Sequence, residues 1–520
     1  MRRLAIFLSL IALVAGVTGR GTHAQQVAVD TVIDRIFQRE GDEVKTLRQY
    51  QPVIEVYVQD LGSDNNPGSA LATDHYFLGN ATLGLGTAQE PSKGNKEKHH
   101  EAKLGGLSDV FPKESVLDGF SRTTSLDSED FDRQHYHLDY VRREFLGKVH
   151  CLVFDVTPLS SVRGDHFAGR IWVEDQTYTI VRINGGLVPG EHPKGFRLRY
   201  DSWRVNVAPG VWVPDYVYAA EAEAGDMFLH HVRFQAQVRL WGYNSKRVGD
   251  VDRSAEASER ARERETEAMV MDSMETAGLL APVGSVDKVV CTVVNNFEVT
   301  NNLDIEPDVD CRTLLTSTLE SFTVGHTLVI SRGLLDVLPD EASLAVVVAH
   351  QLGHILNGNA LGDLGAVNRW TVLPPEDSFN HFGLALDPHA EEAANVKARE
   401  LLEKSPYKDK MGTAVLFFGL IDSDARTLPN LISPEVASEV PLAKQWTGVA
   451  AVPATGKGQP IAALPLGSRI DLDPWSDEVQ FMTAEPISLA AGHERQPFRL
   501  SPYMPSLIVR DAAPDKTDKH

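Results

Sequence analysis

Cysteine is scarce in this chain: three residues in 520, at positions 151, 291 and 311. That is too few for a disulfide framework or a cysteine-built zinc cluster. In an oxidising compartment Cys291 and Cys311 could pair, tying a helix to the strand that follows it; the alternative is three unpaired core thiols. Cys151 lies in an apolar run and reads as a buried thiol. Positive charge is also short, with 50 Lys and Arg against 72 Asp and Glu and a formal charge of −22. A chain this acidic lacks the net charge that neutralises phosphates, which argues against nucleic acid or an anionic membrane surface as partner. Beyond the N-terminus no run approaches the roughly 20 apolar residues of a membrane span.

What is present is close to a globular average, 42% hydrophobic and 23% charged. That excludes a disordered, collagenous or multi-span membrane chain. The length sets an expectation of two or three domains. Arg2 and Arg3 precede an apolar run from Leu4 to Val17, and the small-residue site Thr22-His23-Ala24 follows. This order reads as a secretory signal over 1–24, cut before Gln25, so the mature chain is expected to be exported, periplasmic or secreted, with no transmembrane span. The competing reading is an uncleaved N-terminal anchor.

The region after the signal opens helical at Thr31, with Val32, Ile33, Ile36 and Phe37 on one face. Pro52 breaks that pattern and Val53–Val58 reads as a strand. Residues 90–105 have no apolar period and read as an exposed loop, in which the His99-His100 pair is solvated. From about Tyr136 to Tyr243 the chain alternates with period two, in segments such as CLVFDVTP (151–158), FAGRIWVEDQTYTIVRING (167–185) and VWVPDYVYAAEA (211–222). Short turns at Gly185-Gly186, Pro189-Gly190 and Pro209-Gly210 separate them. One wet and one dry face per strand predict a curved antiparallel sheet or partial barrel.

The 167–183 hairpin and the WVPDYV strand (212–217) resemble the LolA/LolB-like fold of periplasmic lipoprotein carriers, over roughly residues 30–245. The resemblance implies a concave sheet that could hold a lipid or acyl chain; the alternative is a structural or docking domain. Residues 252–277 are dense in charge and in good helix formers, which suits a solvated connecting helix. The domain expectation is therefore 25–250 β-rich, 251–280 a charged helical linker, 281–425 a second domain and 426–520 a Pro/Gly-rich extension. ALPLGSRIDLDPWSDEVQFM (463–482) in that extension could add one or two strands or wrap over the core.

The chemistry is concentrated in LPDEASLAVVVAHQLGHILNGN (338–359). Pro339 and Asp340 open a helix and Gly358 closes it. Between them lies an apolar run, Leu344 to Leu356, interrupted by His350, Gln351 and His354. Two His four apart share one helix face, where both imidazoles can converge on one ion. With 18 His such a pair arises about once by chance, so the apolar setting carries the argument. A buried imidazole needs both nitrogens satisfied, and a metal with outer hydrogen-bond acceptors does that. The competing reading is two core histidines bonded to backbone.

This stretch resembles the HtpX-like/CAAX prenyl endopeptidase family of zinc metallopeptidases (peptidase family M-48), from about Ser285 to Ile421. ESFTVGHTLVISRGLLDVL (320–338) is similar to the strand and turn before the family's zinc helix. HAEEAANVKARELLEKSPYKDKMGTAVLFFGL (389–420) is similar to its second metal helix. Matching Leu402 and Tyr407 to the family pattern implies Glu391 as third ligand, with Glu392 the alternative one register away, and Asn395 where the family has an acid. The resemblance implies one Zn2+ on His350, His354 and Glu391, in a mainly helical zincin-like domain beside the sheet, an α+β chain overall.

The family motif is H-E-x-x-H, and this chain has Gln351 at the E position. That carboxylate takes a proton from zinc-bound water and later delivers it to the leaving amine, a contribution of roughly 10²–10⁴-fold. An amide can hydrogen-bond the water but cannot accept its proton. The leading expectation is an exported, zinc-binding but proteolytically silent domain that acts in binding or scaffolding, with a polypeptide, envelope lipoprotein or lipid as partner. One alternative is a slow, genuine zinc metalloendopeptidase that borrows a base from Glu392, His389 or His326. The other is a periplasmic lipid or lipoprotein carrier in which residues 30–245 do the work.

Overall fold

The structure, a computed structural model, describes residues 29–61, 71–84, 116–126, 130–159, 165–189, 198–221, 233–244, 259–358, 387–450, 463–464, 466–467, 469–483, 498–500 and 502–510. The signal-like segment, the 90–105 loop with its His pair and the chain between Gly358 and Asp387 lie outside the described residues.

Helix α1 (29–47) buries Ile33, Ile36, Val44 and Leu47 at helical spacing, and Glu40 shares that face. Nine strands follow: β1 (Val53–Leu61), β2 (Leu71–Asn80), β3 (Tyr136–Leu146), β4 (Val149–Pro158), β5 (Asp165–Glu174), β6 (Ile180–Pro189), β7 (Leu198–Ala208), β8 (Val211–Glu221) and β9 (Arg233–Trp241). They form one antiparallel sheet in the order β2-β1-β9-β8-β7-β6-β5-β4-β3. The period-two alternation separates two faces, but the expected wet face is covered as well: most residues of β1, β4 and β7 are buried on both sides, because apolar clusters pack against each face. Leu152, Phe154 and Val156 point to the side covered by α1 and the short α2 (Val116–Arg122), while Cys151 and Val153 point to the other. Cys151 is buried and unpaired, and burial pushes its thiol up to about 12.

On that second face one row of paired residues crosses seven strands: Glu55, Arg239, Tyr216, Trp203, Arg182, Trp172 and Val153. Arg182 stacks between the Trp172 and Trp203 rings, 4.3 Å from each centroid, and pairs both guanidinium arms with Asp201. Tyr503 and Leu507 from the C-terminal segment cover this cluster. On the first face Arg204 binds Glu40 of α1 through two 2.7 Å contacts, with both side chains 1% exposed. A buried guanidinium is tolerated there because Glu40 and the carbonyls of Ile180 and Thr124 accept its hydrogens.

The C-terminal half contains α3 (Glu259–Thr276), α4 (Ser285–Asn301), a three-stranded sheet in the order β10-β12-β11 (Asp310–Leu314, Thr327–Ser331, Ser321–Val324) and α5 (Arg332–Val337). Then come α6 (Glu341–Leu356), α7 (Pro388–Glu403), α8 (Gly412–Asp424), α9 (Pro434–Ser438), α10 (Val440–Ala443) and a hairpin of β13 (Ile470–Leu472) and β14 (Val479–Phe481). The architecture is α+β, with a mixed sheet among the C-terminal helices. The charged helix α3 is anchored as well as solvated: Val270, Met271 and Met274 are buried, and Glu267 accepts from the His326 amide and the Thr327 hydroxyl. Cys291 and Cys311 form a disulfide joining α4 to β10.

One core runs from Val53, Tyr57, Tyr76 and Trp241 of the large sheet into the C-terminal helices. At that junction Glu55 accepts from the Ser317 amide and hydroxyl and from Tyr76, and lies 3.3 Å from Arg332. The 463–482 stretch supplies the two short strands of the hairpin, while Phe498 and Leu500 enter the core.

Candidate metal centre

Helix α6 begins where the sequence predicts. Asp340 caps it, its carboxylate accepting from the Ser343 amide. Except for its ends the helix is buried all round. It crosses α7 at Gly353, where a Cβ would lie 2.5 Å from the Ala394 carbonyl oxygen. The missing side chain lets the two backbones meet, and that contact brings Glu391 over the two histidines.

His350 Nε2 and His354 Nε2 stand 3.1 Å apart. Glu391 Oε2 is 3.2 Å from the first and Oε1 is 3.3 Å from the second. Donors at about 2.0 Å on a tetrahedral ion are about 3.3 Å from one another, so the spacing and the N,N,O donor set both fit one zinc. His350 is fully buried, whereas His354 and Glu391 are 12% and 13% exposed. This trio is the only group of at least three metal-binding side chains this close among the described residues.

The surrounding hydrogen bonds orient the donors. His350 Nδ1 donates to Asn395 Oδ1 at 3.1 Å, and Asn395 Nδ2 donates to the Ser438 carbonyl. With Nδ1 carrying the proton, Nε2 offers a lone pair toward Glu391, and a cation relieves the meeting of two acceptors. Ser438 Oγ donates to Glu391 Oε2 at 2.5 Å. Burial lowers the His350 value and keeps the imidazole neutral, although its contact with Glu391 opposes this. For Glu391 burial raises the value, but the contacts with His350, His354 and Ser438 outweigh it and hold the carboxyl well below the ordinary range. A neutral imidazole and an ionised carboxylate are the forms that bind metal.

Gln351, the residue at the base position, is buried and turned to β11: its Nε2 donates to Ser321 Oγ at 3.1 Å and to the Ser321 carbonyl at 3.3 Å. The other candidate bases do not join the trio. Glu392 and His389 are exposed on α7, and His326 sits in the β11–β12 turn held by Glu267. Glu391, not Glu392, is the acid beside the histidines.

Sequence reasoning missed the contribution of the C-terminal extension. Leu319 and Ile432 form a parallel bridge that places Ser433 as the cap of α9, whose last residue is Ser438. This brings Glu435 and Glu439 into the buried interior beside the site. The Ser433-Pro434-Glu435 pattern is a legible helix start. Nothing in it says where the helix docks.

No family profile matches the chain, and no curated protein does. Among solved structures the chain is similar to a DUF1329 family protein from Desulfovibrio piger at 12% identity, covering 41% of this chain and 90% of that one with a TM-score of 0.20.

Proposed function

We propose that this chain is an exported protein that holds one zinc ion on His350, His354 and Glu391 and acts in binding or scaffolding rather than peptide cleavage. One observation carries the reading: two imidazole nitrogens 3.1 Å apart, each 3.2–3.3 Å from one oxygen of the same carboxylate, with an amide next in sequence where a peptidase needs a carboxylate. The chain's own residues keep the donors ready for a cation. Asn395 holds the proton of His350 on Nδ1, and Ser438 fixes one oxygen of Glu391. Bound there, zinc would supply Lewis acidity and lower the pKa of a coordinated water. Gln351 spends its donor hydrogens on Ser321 and has no basic group with which to take that water's proton.

Metal analysis of natively purified mature protein tests the first half of the proposal. About one zinc per chain, lost in His350→Ala, is the expected result for a site of this donor set; metal-free protein that also fails to take up added zinc sinks it. Cleavage of an unfolded protein substrate tests the second half. Wild type should show no turnover that depends on His350, and such turnover would make this a working peptidase.

A further inference from the structure

The carboxyl absent from position 351 is replaced one hydroxyl away. Gln351 Nε2 donates to Ser321 Oγ at 3.1 Å, and that hydroxyl donates to Glu439 Oε1 at 3.2 Å. Glu439 is fully buried and its other oxygen, Oε2, meets no hydrogen-bond partner among the described residues. Glu435, one helical turn earlier, is also buried with Oε1 unpartnered. The acid groups whose charges reach Glu439 are Glu391 from α7 and Glu435 from α9, and Glu320 acts in turn on Glu435; the preceding residue, Ser438, donates to Glu391. No Lys or Arg makes a salt bridge with Glu435 or Glu439 among the described residues.

Such a group cannot sit ionised in a dry, negatively charged setting without compensation. Burial, together with the charges of Glu391 and Glu435, raises Glu439 well above the ordinary carboxylate range. Burial brings Glu435 to about 7. A divalent cation at the trio would be the largest local charge and would reverse this balance.

Resting on the zinc-binding reading above, we infer that Glu439 is a buried proton store for the metal centre. It is protonated while the trio is empty of cation, and it releases its proton to solvent when a divalent ion binds. The ion brings two positive charges and the released proton removes one, so the interior gains one net charge rather than two. Ser321 is the positioning link, holding Glu439 Oε1 and the Gln351 amide on one hydroxyl. An ionised Glu439 would then accept from Ser321, one hydroxyl away from the Gln351 amide.

The test is calorimetric titration of zinc into the metal-free full-length protein at pH 7, in buffers of different ionisation enthalpy, which counts protons released per zinc. Glu439→Gln is isosteric with the protonated acid and should fold as wild type does. Wild type should release about one proton more per zinc than Glu439→Gln. Equal release by the two proteins overturns the inference while leaving zinc binding intact. Failure of wild type to bind zinc removes the zinc-binding reading and this inference with it. Should Glu439→Gln not fold, infrared difference spectra of wild type decide the matter. Zinc should bleach the carbonyl band of a protonated carboxylic acid, and persistence of that band overturns the inference.

Discussion

Gly353 and Ala394 touch backbone to backbone, and a Cβ added at 353 would stand 2.5 Å from the Ala394 carbonyl oxygen. The contact sits between His350 and His354 on one helix and Glu391 on the other, so helix separation and donor spacing are one quantity. Gly353→Ala must push α7 away. Overpacking of this kind costs about 1–3 kcal/mol. The larger effect should be on zinc: affinity, measured by competition with a chromogenic chelator, should fall by at least about tenfold because metal sites tolerate only small ligand displacements. Unchanged affinity would show that Glu391 is not a ligand.

Asn395 is expected to govern metal affinity without touching the ion. Asn395→Ala leaves His350 Nδ1 buried with no acceptor, and loss of such a partner typically weakens binding about 10–100-fold. Asn395→Asp restores an acceptor, and a stronger one, so it should bind zinc at least as tightly as wild type. The two variants side by side separate orientation of the imidazole from simple packing.

The Glu40–Arg204 pair predicts a large stability effect far from the metal centre. Glu40→Ala strands a guanidinium that is 1% exposed. Breaking a buried pair from one side costs about 3–5 kcal/mol, to be read as a lowered urea midpoint with zinc stoichiometry per folded molecule unchanged. A shift under about 1 kcal/mol, the size of an exposed pair, would mean that water reaches Arg204.

The stabilisation contributed by Asp215 and Asp477 should fall as pH rises from about 4 to 8. Burial raises the Asp215 carboxyl to about 7, with Arg239 opposing, and burial raises Asp477 to about 7 against its hydrogen bond from Gly242. A folded-state value above the unfolded one means the native state binds more protons between the two, so the stabilisation is complete below the unfolded value and lost through the folded one. Relative to Asp215→Asn, wild-type urea midpoints should lose ground over that interval. Identical slopes would remove Asp215 from the account.

The Cys291–Cys311 bond closes a 20-residue separation. On loop entropy its removal by Cys291→Ser should cost about 3 kcal/mol. Dithiothreitol should lower the wild-type melting temperature toward that of the variant and leave the variant unmoved.

The alternation of residues 136–243 and the capped apolar helix around His350 were legible without any structure. Both are local: side-chain period follows backbone geometry, and a cap lies within four residues of what it caps. The i,i+4 histidines and the amide at 351 belong to the same class, since a single helical turn decides what they share. Pairing of Cys291 with Cys311 could only be left open, because it depends on α4 and β10 meeting. The docking of Ser438, Glu435 and Glu439 depends on a bridge between Leu319 and Ile432, more than a hundred residues apart. The choice of Glu391 over Glu392 rests on a helix crossing that a missing Cβ allows. Burial of Glu439 against other acids has no sequence signature, because the cost of a buried carboxyl is set by what surrounds it and not by its neighbours along the chain.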